Sequence, residues 1–390
     1  MVQVAFVSRY VPQYREDFLT RTRERLAGDG IRFRVVHGQP SAKEAAKGDA
    51  VSLEWGERVD SRIFPMAGRE MYWQPVLGRV WHDDLVIVEQ GSRLLVNYPL
   101  VAAQRLGGPP LAFWGHGLHF AAHEVTGSGE AAKRALARRA HWWFAYTERS
   151  AGIVSGLGYP RERVTVVQNA IDTRAIREWR AALSADSLDG LRAKLRLGRG
   201  PVGVFCGALY PEKRLAFLVQ ACDRVRERLP SFEMLVIGGG EDEVLVRAAA
   251  ADRPWLKFLG ARFGADKVRH LALGDVFLMP GLVGLAILDA FALELPLVTT
   301  SVPYHSHEVS YLDDGVNGVM IEDADDPAAY ATAVADLLGD ASRLETLREG
   351  CRRAAEVYTV ENMTARFCEG VAQALNAEPW RVSRRPRRLR

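Results

Sequence analysis

Short apolar runs rich in Val, Ile, Leu and Phe alternate with amphipathic stretches along most of the chain. The runs predict strands at Val2–Ser8, Ile31–Gly38, Leu85–Gln90, Pro110–Gly115, Trp142–Thr147 and Val164–Gln168. A second series follows at Val202–Gly207, Met234–Gly238, Trp255–Leu259, Val276–Pro280 and Leu297–Thr300. Helical patterns such as Lys213–Leu229 and Asp266–Leu273 lie between them. Strand–helix alternation of this kind builds parallel sheets covered by helices on both faces. A near-continuous apolar strand such as Val202-Gly-Val-Phe-Cys-Gly207 suits burial on two sides.

The rhythm breaks between Asn169 and Pro201, where the pattern is helical and charged (Thr173–Leu183, Leu188–Leu197). After Asp323 only helices are predicted: Pro327–Leu338, Ala341–Tyr358 and Thr359–Leu375. The expected division is a doubly wound domain over 1–170, a helical junction over 171–200 and a second doubly wound domain over 201–358. A bracing helix over 359–376 and a basic tail over 377–390 complete it.

Length and composition add bounds. A chain of 390 residues accommodates two or three domains, and 48% hydrophobic with 25% charged residues is ordinary for a folded chain. Disordered, collagen-like and disulfide-stapled classes are excluded. The four cysteines show no metal-ligand spacing and read as buried thiols in a reducing compartment. Neither a secretory signal nor a membrane-spanning run is apparent, so a cytoplasmic location is expected. The net charge of +3 conceals an asymmetry: residues 1–180 sum to +6, residues 181–380 to −9, and Arg381–Arg390 to +6. Such asymmetry suggests a different partner for each half.

In doubly wound sheets ligands bind beyond the carboxyl ends of strands, which directs attention to the strand-to-helix turns. The first, Ser8-Arg-Tyr-Val-Pro-Gln-Tyr14-Arg15, lacks dinucleotide-binding glycines, which argues against a nicotinamide or flavin enzyme. Tyr14 and Arg15 suit a sugar or phosphate-bearing acceptor, or a well-packed loop. The turn Gly207-Ala-Leu-Tyr-Pro-Glu-Lys213-Arg214 lets a ligand approach the backbone at Gly207 and offers two cations at a helix start. The plain alternative is a solvated Lys-Arg pair. In Pro280-Gly-Leu-Val283-Gly284-Leu285 a tight turn precedes an apolar helix carrying Asp289, which is well placed to accept from ribose hydroxyls or, more simply, to favour the helix start. Gly238-Gly-Gly240 is Gly-rich without the dinucleotide spacing and reads as a permissive turn. His116, between Gly115 and Gly117 just past a strand, could bond a sugar hydroxyl. His116 and His119 lack the company a metal site needs.

Together these segments resemble the family-four retaining glycosyltransferases of GT-B architecture. The similarity spans about Val2 to Leu375 and rests on Val167–Asp172, Cys206–Leu215, Pro280–Pro296, His116 and Tyr311–Gly318. The resemblance implies two α/β, doubly wound Rossmann-like domains facing across a cleft, with C-terminal helices. It implies a nucleoside-diphosphate sugar donor on the second domain, a glycan or lipid-linked acceptor mostly on the first, and no metal or other cofactor. By position, Lys213 matches the family's diphosphate-binding Lys, Asp289 the second, ribose-holding Glu of a paired-Glu signature, and His116 the His near the reacting carbon. Two positions depart from the pattern. The first Glu of the pair, usually in contact with the transferred sugar, is missing in Gly281-Leu-Val283, and the Arg after the strand-end Gly is Ala208, with Arg214 as a substitute.

The expected chemistry is retaining transfer, with Lys213, Arg214 and the backbone N–H groups of Val283–Leu285 steadying the leaving diphosphate. An epimerase or phosphorylase on the same fold, or a binding protein derived from a transferase, is the alternative. Basic residues beside Trp in Lys133–Trp143 suit an anionic membrane surface or a packed surface helix, and the Arg-rich tail suits an anionic leaflet or a solvated end. Peripheral attachment to the inner face of the cytoplasmic membrane, in polysaccharide or glycolipid synthesis, follows as an expectation. Nucleic acid is not expected as a partner.

Overall fold

A computed structural model describes residues 1–45, 50–66, 69–117 and 136–379. His119, Lys133 and the tail Arg381–Arg390 lie outside the described residues. The chain forms two compact units, Met1–Ile171 with the stretch from Val360, and Asp172–Thr359.

The first unit is built on a seven-stranded parallel sheet. Its order is Val164–Val166, Trp142–Ala145, Leu111–Gly115, Leu85–Glu89, Val2–Ser8, Ile31–His37 and Glu57–Arg58. Leu111–Gly115 and Trp142–Ala145 are buried throughout, as strands covered on both faces must be. Trp142 and Trp143 are core residues whose indole N–H groups donate to Thr165 Oγ1 and the Ala137 carbonyl. They form no membrane surface. The β propensity and burial of their strand claim the tryptophans.

The helix Val360–Asn376 closes this unit. Its Phe367 stands within 4.7–6.3 Å of the Phe6, Phe18, Phe33, Trp114 and Phe144 rings, mostly edge-on.

In the second unit a six-stranded parallel sheet runs Leu256–Gly260, Glu233–Ile237, Val202–Cys206, Val276–Leu278, Leu297–Thr300 and Gly318–Ile321. The helices Arg174–Ala181 and Ala185–Lys194, which break the rhythm of the sequence, belong to this unit. In both sheets the chain winds one way from a central strand and then returns to its other side. The two switch points fall between Val2–Ser8 and Leu85–Glu89, and between Val202–Cys206 and Val276–Leu278.

The eleven strands predicted from the hydrophobic pattern are all present. The pattern did not reveal the edge strands Glu57–Arg58 and Gly318–Ile321, nor the separate antiparallel hairpin of Arg62–Met66 with Arg69–Trp73. Glu57–Arg58 and Arg62–Met66 are short and polar or exposed, so they lack the continuous apolar signature of buried strands, whereas Gly318–Ile321 is buried and apolar but only four residues long. No helix among the described residues is long and apolar enough to cross a membrane.

Candidate functional site

At the second unit's switch point the strand Val202–Cys206 ends and the backbone turns outward at Gly207. Glycines make this turn possible from the neighbouring strand. A Cβ on Gly238 would stand 1.9 Å from the Gly207 carbonyl oxygen, and one on Gly240 would stand 2.2 Å from that of Leu209. The Gly238–Gly240 run is therefore the floor against which the Gly207–Leu209 loop lies, tied by Leu209 N–H to the Gly239 carbonyl at 3.0 Å. Its glycines serve close backbone packing.

The loop continues through a 3-10 turn, Pro211–Lys213, and delivers Lys213 into the interior, where it is 6% exposed. Its ammonium donates to the Leu282 carbonyl at 2.5 Å, lies 3.6 Å from Met279 Sδ, and sits 5.4 Å from the centre of the Tyr210 ring. No carboxylate lies within ion-pair distance of it among the described residues. Burial lowers the Lys213 pKa to about 8. A buried cation without a counter-charge is costly on its own and favours an anionic ligand.

Asp289 lies in the short helix Ala286–Ala292 and is 8% exposed. One carboxylate oxygen accepts from Lys267 Nζ at 2.9 Å, while the other is buried with no hydrogen-bond partner among the described residues. Burial would pull the Lys267 ammonium down, but the Asp289 carboxylate outweighs it and the pKa is raised. Lys267 gives no sequence signal, because a Lys on an amphipathic helix reads as a solvated face. Only the fold brings Gly264–Leu271 beside Asp289.

The turn between these groups departs from expectation in two places. The Val283 N–H is not turned toward a ligand: it donates to His305 Nδ1 at 3.0 Å, while the other ring nitrogen of His305 meets the Thr300 carbonyl at 2.6 Å. The N–H groups of Gly284 and Leu285 make no hydrogen bond among the described residues and remain available to an anion. Arg214, in left-handed backbone geometry, is drawn toward the far side of the sheet edge. Its guanidinium donates to the Ala324 carbonyl at 2.5 Å and Asp325 at 2.7 Å. The absent Glu also acquires a physical reason. A Cβ at Gly281 would stand 2.1 Å from the Glu212 carbonyl oxygen and 2.5 Å from the Lys213 carbonyl carbon. Gly281 is where the Lys213 loop rests on the Pro280 turn, leaving no room for a side chain.

In the first unit His116 follows the strand Leu111–Gly115 and packs edge-on against Tyr146, with ring centres 4.3 Å apart. Tyr146 is fixed in turn, its hydroxyl accepting from Trp114 Nε1 at 2.6 Å. Burial pushes the Tyr146 hydroxyl well above its ordinary pKa, so it stays protonated. Arg15 is buried, its guanidinium carbon 5.1–5.9 Å from the Tyr14, Phe18, Trp114 and Tyr146 ring centres. Such cation–π geometry makes Arg15 part of the packing beneath the turn, while Tyr14 stays 42% exposed above it. At this unit's switch point a polar cluster gathers around Arg9. Its Nε donates to Glu89 at 3.0 Å and its Nη1 to Glu44 at 2.7 Å, while Ser8 Oγ donates to Glu89 at 2.6 Å.

Residues 200–340 match the family model described as Glycosyl transferases group 1. The chain is 28% identical over 233 residues to a D-inositol 3-phosphate glycosyltransferase of Salinispora arenicola, covering 55% of this chain and 50% of that protein. It is 30% identical over 177 residues to a GDP-mannose-dependent alpha-(1-6)-phosphatidylinositol monomannoside mannosyltransferase of Mycolicibacterium smegmatis, covering 42% and 45% respectively. The chain thus spans about half the length of these curated relatives. Among solved structures, Anabaena Alr3699/HepE in complex with UDP matches with a TM-score of 0.70 at 18% identity, over 96% of this chain and all of that one. A sucrose-phosphate synthase from Thermosynechococcus elongatus matches at 0.68 and 14% identity, over 96% of this chain and 99% of that one. These structures share the fold of two parallel-sheet, Rossmann-like domains, the GT-B architecture.

Proposed function

Taking as premise that its second unit belongs to the group 1 glycosyltransferases, we propose that this chain transfers a sugar from a nucleoside-diphosphate sugar to a glycan or lipid-linked acceptor, with retention of the anomeric configuration. The observation that carries the reading is Lys213, a buried ammonium at the switch point, in the same unit as Asp289; among the described residues the first has no carboxylate partner and the second has one oxygen unengaged. The diphosphate would take the Lys213 charge and the N–H groups of Gly284 and Leu285. Close backbone approach at Gly207 would accommodate it, and Arg214 would join only by exchanging Asp325 for phosphate. The free oxygen of Asp289 would accept from a ribose hydroxyl, with Lys267 holding the other.

In the transfer the bond from the anomeric carbon to the diphosphate breaks, and its electron pair leaves on the phosphate oxygen. The acceptor oxygen bonds to that carbon from the same face, and its proton passes to the departing diphosphate. Charge on the leaving group is what Lys213 stabilises, and losing such a donor typically costs about 10²–10³ in rate. His116 is assigned to the transferred sugar and the face around Tyr14 to the acceptor. The donor complexes among related folds, with UDP and UDP-glucose in Anabaena Alr3699/HepE, and the phosphatidylinositol monomannoside in the M. smegmatis relative's name support the substrate classes. Four free, buried cysteines support a reducing, cytoplasmic setting.

The test is calorimetric titration of UDP and GDP into wild type and Lys213→Ala, followed by proton NMR of the product formed from the donor that binds. Binding that collapses in the variant, together with an anomeric coupling matching the donor's, is expected. Undiminished binding or turnover in Lys213→Ala sinks the assignment, and inversion sinks the retaining mechanism. A binding-only role has one observation in its favour, the closed position at Gly281. Nucleotide binding without transfer to any acceptor would select it.

A further inference from the structure

Lys213 and His305 grip opposite ends of one peptide group. The Leu282 carbonyl accepts from the Lys213 ammonium at 2.5 Å. The N–H of the same amide, that of Val283, donates to His305 Nδ1 at 3.0 Å. The amide is planar and trans, so its C=O and N–H point in opposite directions and turn only together. Whatever holds the Val283 N–H therefore aims the Leu282 carbonyl.

The His305 end is rigid. Its ring is buried, and the Val283 N–H can donate only to a bare Nδ1, which leaves the ring hydrogen on Nε2. That hydrogen goes to the Thr300 carbonyl at 2.6 Å, at the end of the strand Leu297–Thr300. Thr300 Oγ1 in turn donates to the Pro280 carbonyl at 2.6 Å, and the Ser306 N–H to the Val283 carbonyl at 3.0 Å. Val283 is wholly buried, so a flipped peptide would leave its N–H without a partner or water. The Lys213 end has no such rigidity of its own, since an ammonium is a point charge on a flexible stem. Among the described residues the Leu282 carbonyl is the only oxygen it bonds. An ammonium has three donors, so this bond leaves others for a ligand.

We propose that His305 is a positioning residue of the donor site: through the Leu282–Val283 peptide it aims the carbonyl that orients the Lys213 ammonium for a diphosphate. The proposal rests on the reading of Lys213 as the diphosphate's partner. A charged group serves such a site when neighbours that are themselves locked hold it in place before the ligand arrives. The choice of a carbonyl also matters. With Gly281 closed to any side chain, the turn offers Lys213 no carboxylate there. A carbonyl dipole directs the charge without neutralising it, which keeps the charge for the ligand.

The experiment has two readouts on the full-length protein. Lys213 titration is followed without ligand by NMR of labelled lysine side chains, its signal assigned by its loss in Lys213→Ala. UDP and GDP binding is followed by calorimetry. Wild type is compared with three variants whose folding is checked by melting temperature. His305→Leu loses both ring bonds, His305→Gln reaches Thr300 but not Val283, and the Oδ1 of His305→Asn stands in for Nδ1. Losing the aimed carbonyl disfavours the charged form, so Lys213 should titrate below its wild-type value in His305→Leu and His305→Gln and return toward it in His305→Asn. Its ionisable neighbours stay neutral through that range, because burial raises the Cys206 thiol to about 12 and the Tyr210 hydroxyl above its ordinary value. Nucleotide binding should weaken about tenfold in His305→Leu and His305→Gln and stay within about twofold of wild type in His305→Asn. Should His305→Leu not fold, the contrast between His305→Gln and His305→Asn decides. Equal weakening in all the folded variants overturns the proposal, because a general loosening would do the same. An unmoved Lys213 titration, or undiminished nucleotide binding in His305→Gln, overturns it as well. If Lys213 follows His305 while neither UDP nor GDP binds wild type, the positioning stands and the donor reading falls.

Discussion

Lys213 illustrates how a single side chain couples burial to function. Its pKa is lowered from 10.5 to about 8 by desolvation, so between those values the folded chain binds fewer protons than the unfolded chain. Stability therefore rises with pH across that window: the cost of burying the ammonium is full below about 8 and gone above 10.5. Ligand binding runs the other way, since the diphosphate needs the charged form. Affinity of the free protein for a nucleoside diphosphate should fall as pH rises through about 8, and titrations in buffers spanning that value check it. In Lys213→Ala that limb of the profile should flatten. Gly281 makes the complementary case of a residue defined by what it excludes. Gly281→Ala forces a Cβ into the Glu212–Lys213 backbone, and overpacking of this kind costs about 1–3 kcal/mol. The expected result is a melting temperature lower by several degrees with weakened nucleotide binding, measured by calorimetry. A gain in activity from Gly281→Glu is not expected.

Among elements, the helix Val360–Asn376 shows how remote sequence completes a core. It follows the second unit in the chain yet belongs to the first, where Phe367 is wholly buried among five aromatic rings. Phe367→Ala should cost about 3–5 kcal/mol, seen as a drop in the denaturant midpoint of the first unit. Nucleotide affinity of the refolded protein should be unchanged. The buried strands were readable because parallel strands covered on both faces must be apolar throughout. The hairpin and Glu57–Arg58 were not, since exposed strands carry no such run, and Gly318–Ile321 was too short to stand out. Their existence depends on what lies beside them. The site was legible in the same uneven way. Lys213, Asp289 and the turn Gly284-Leu285 stood out because cations, a lone acid and glycines at strand ends are locally conspicuous. Lys267 and His305 did not, since their partners lie 22 residues away in sequence.

For the molecule as a whole, two compact units with separate cores should respond to ligand differently. A nucleoside diphosphate at a hundred times its dissociation constant stabilises the state that binds it by about 2.7 kcal/mol. In differential scanning calorimetry UDP or GDP should raise the transition of the unit Asp172–Thr359 and leave that of the other unit nearer its original position. A uniform shift of both would place the nucleotide elsewhere or reveal tight coupling of the two units. The charge split has a matching consequence: residues 181–380 sum to −9, so their site must attract a diphosphate through local geometry. A buried ammonium and two free N–H groups supply it, because short-range interactions in a desolvated site outweigh distant charges screened by water.

The sequence by itself determined the class of fold, the two large parallel sheets and the strand ends at which chemistry could gather. Hydrophobic periodicity and glycine placement are local properties, and a buried parallel strand leaves little freedom in composition. Only the tertiary structure decided which candidates act together. It turned the Val283 N–H to His305, bound Arg214 to Asp325, closed the space at Gly281 and set Lys267 beside Asp289. Those outcomes depend on distances between segments far apart in the chain, which hydrophobic patterning leaves open and close packing fixes.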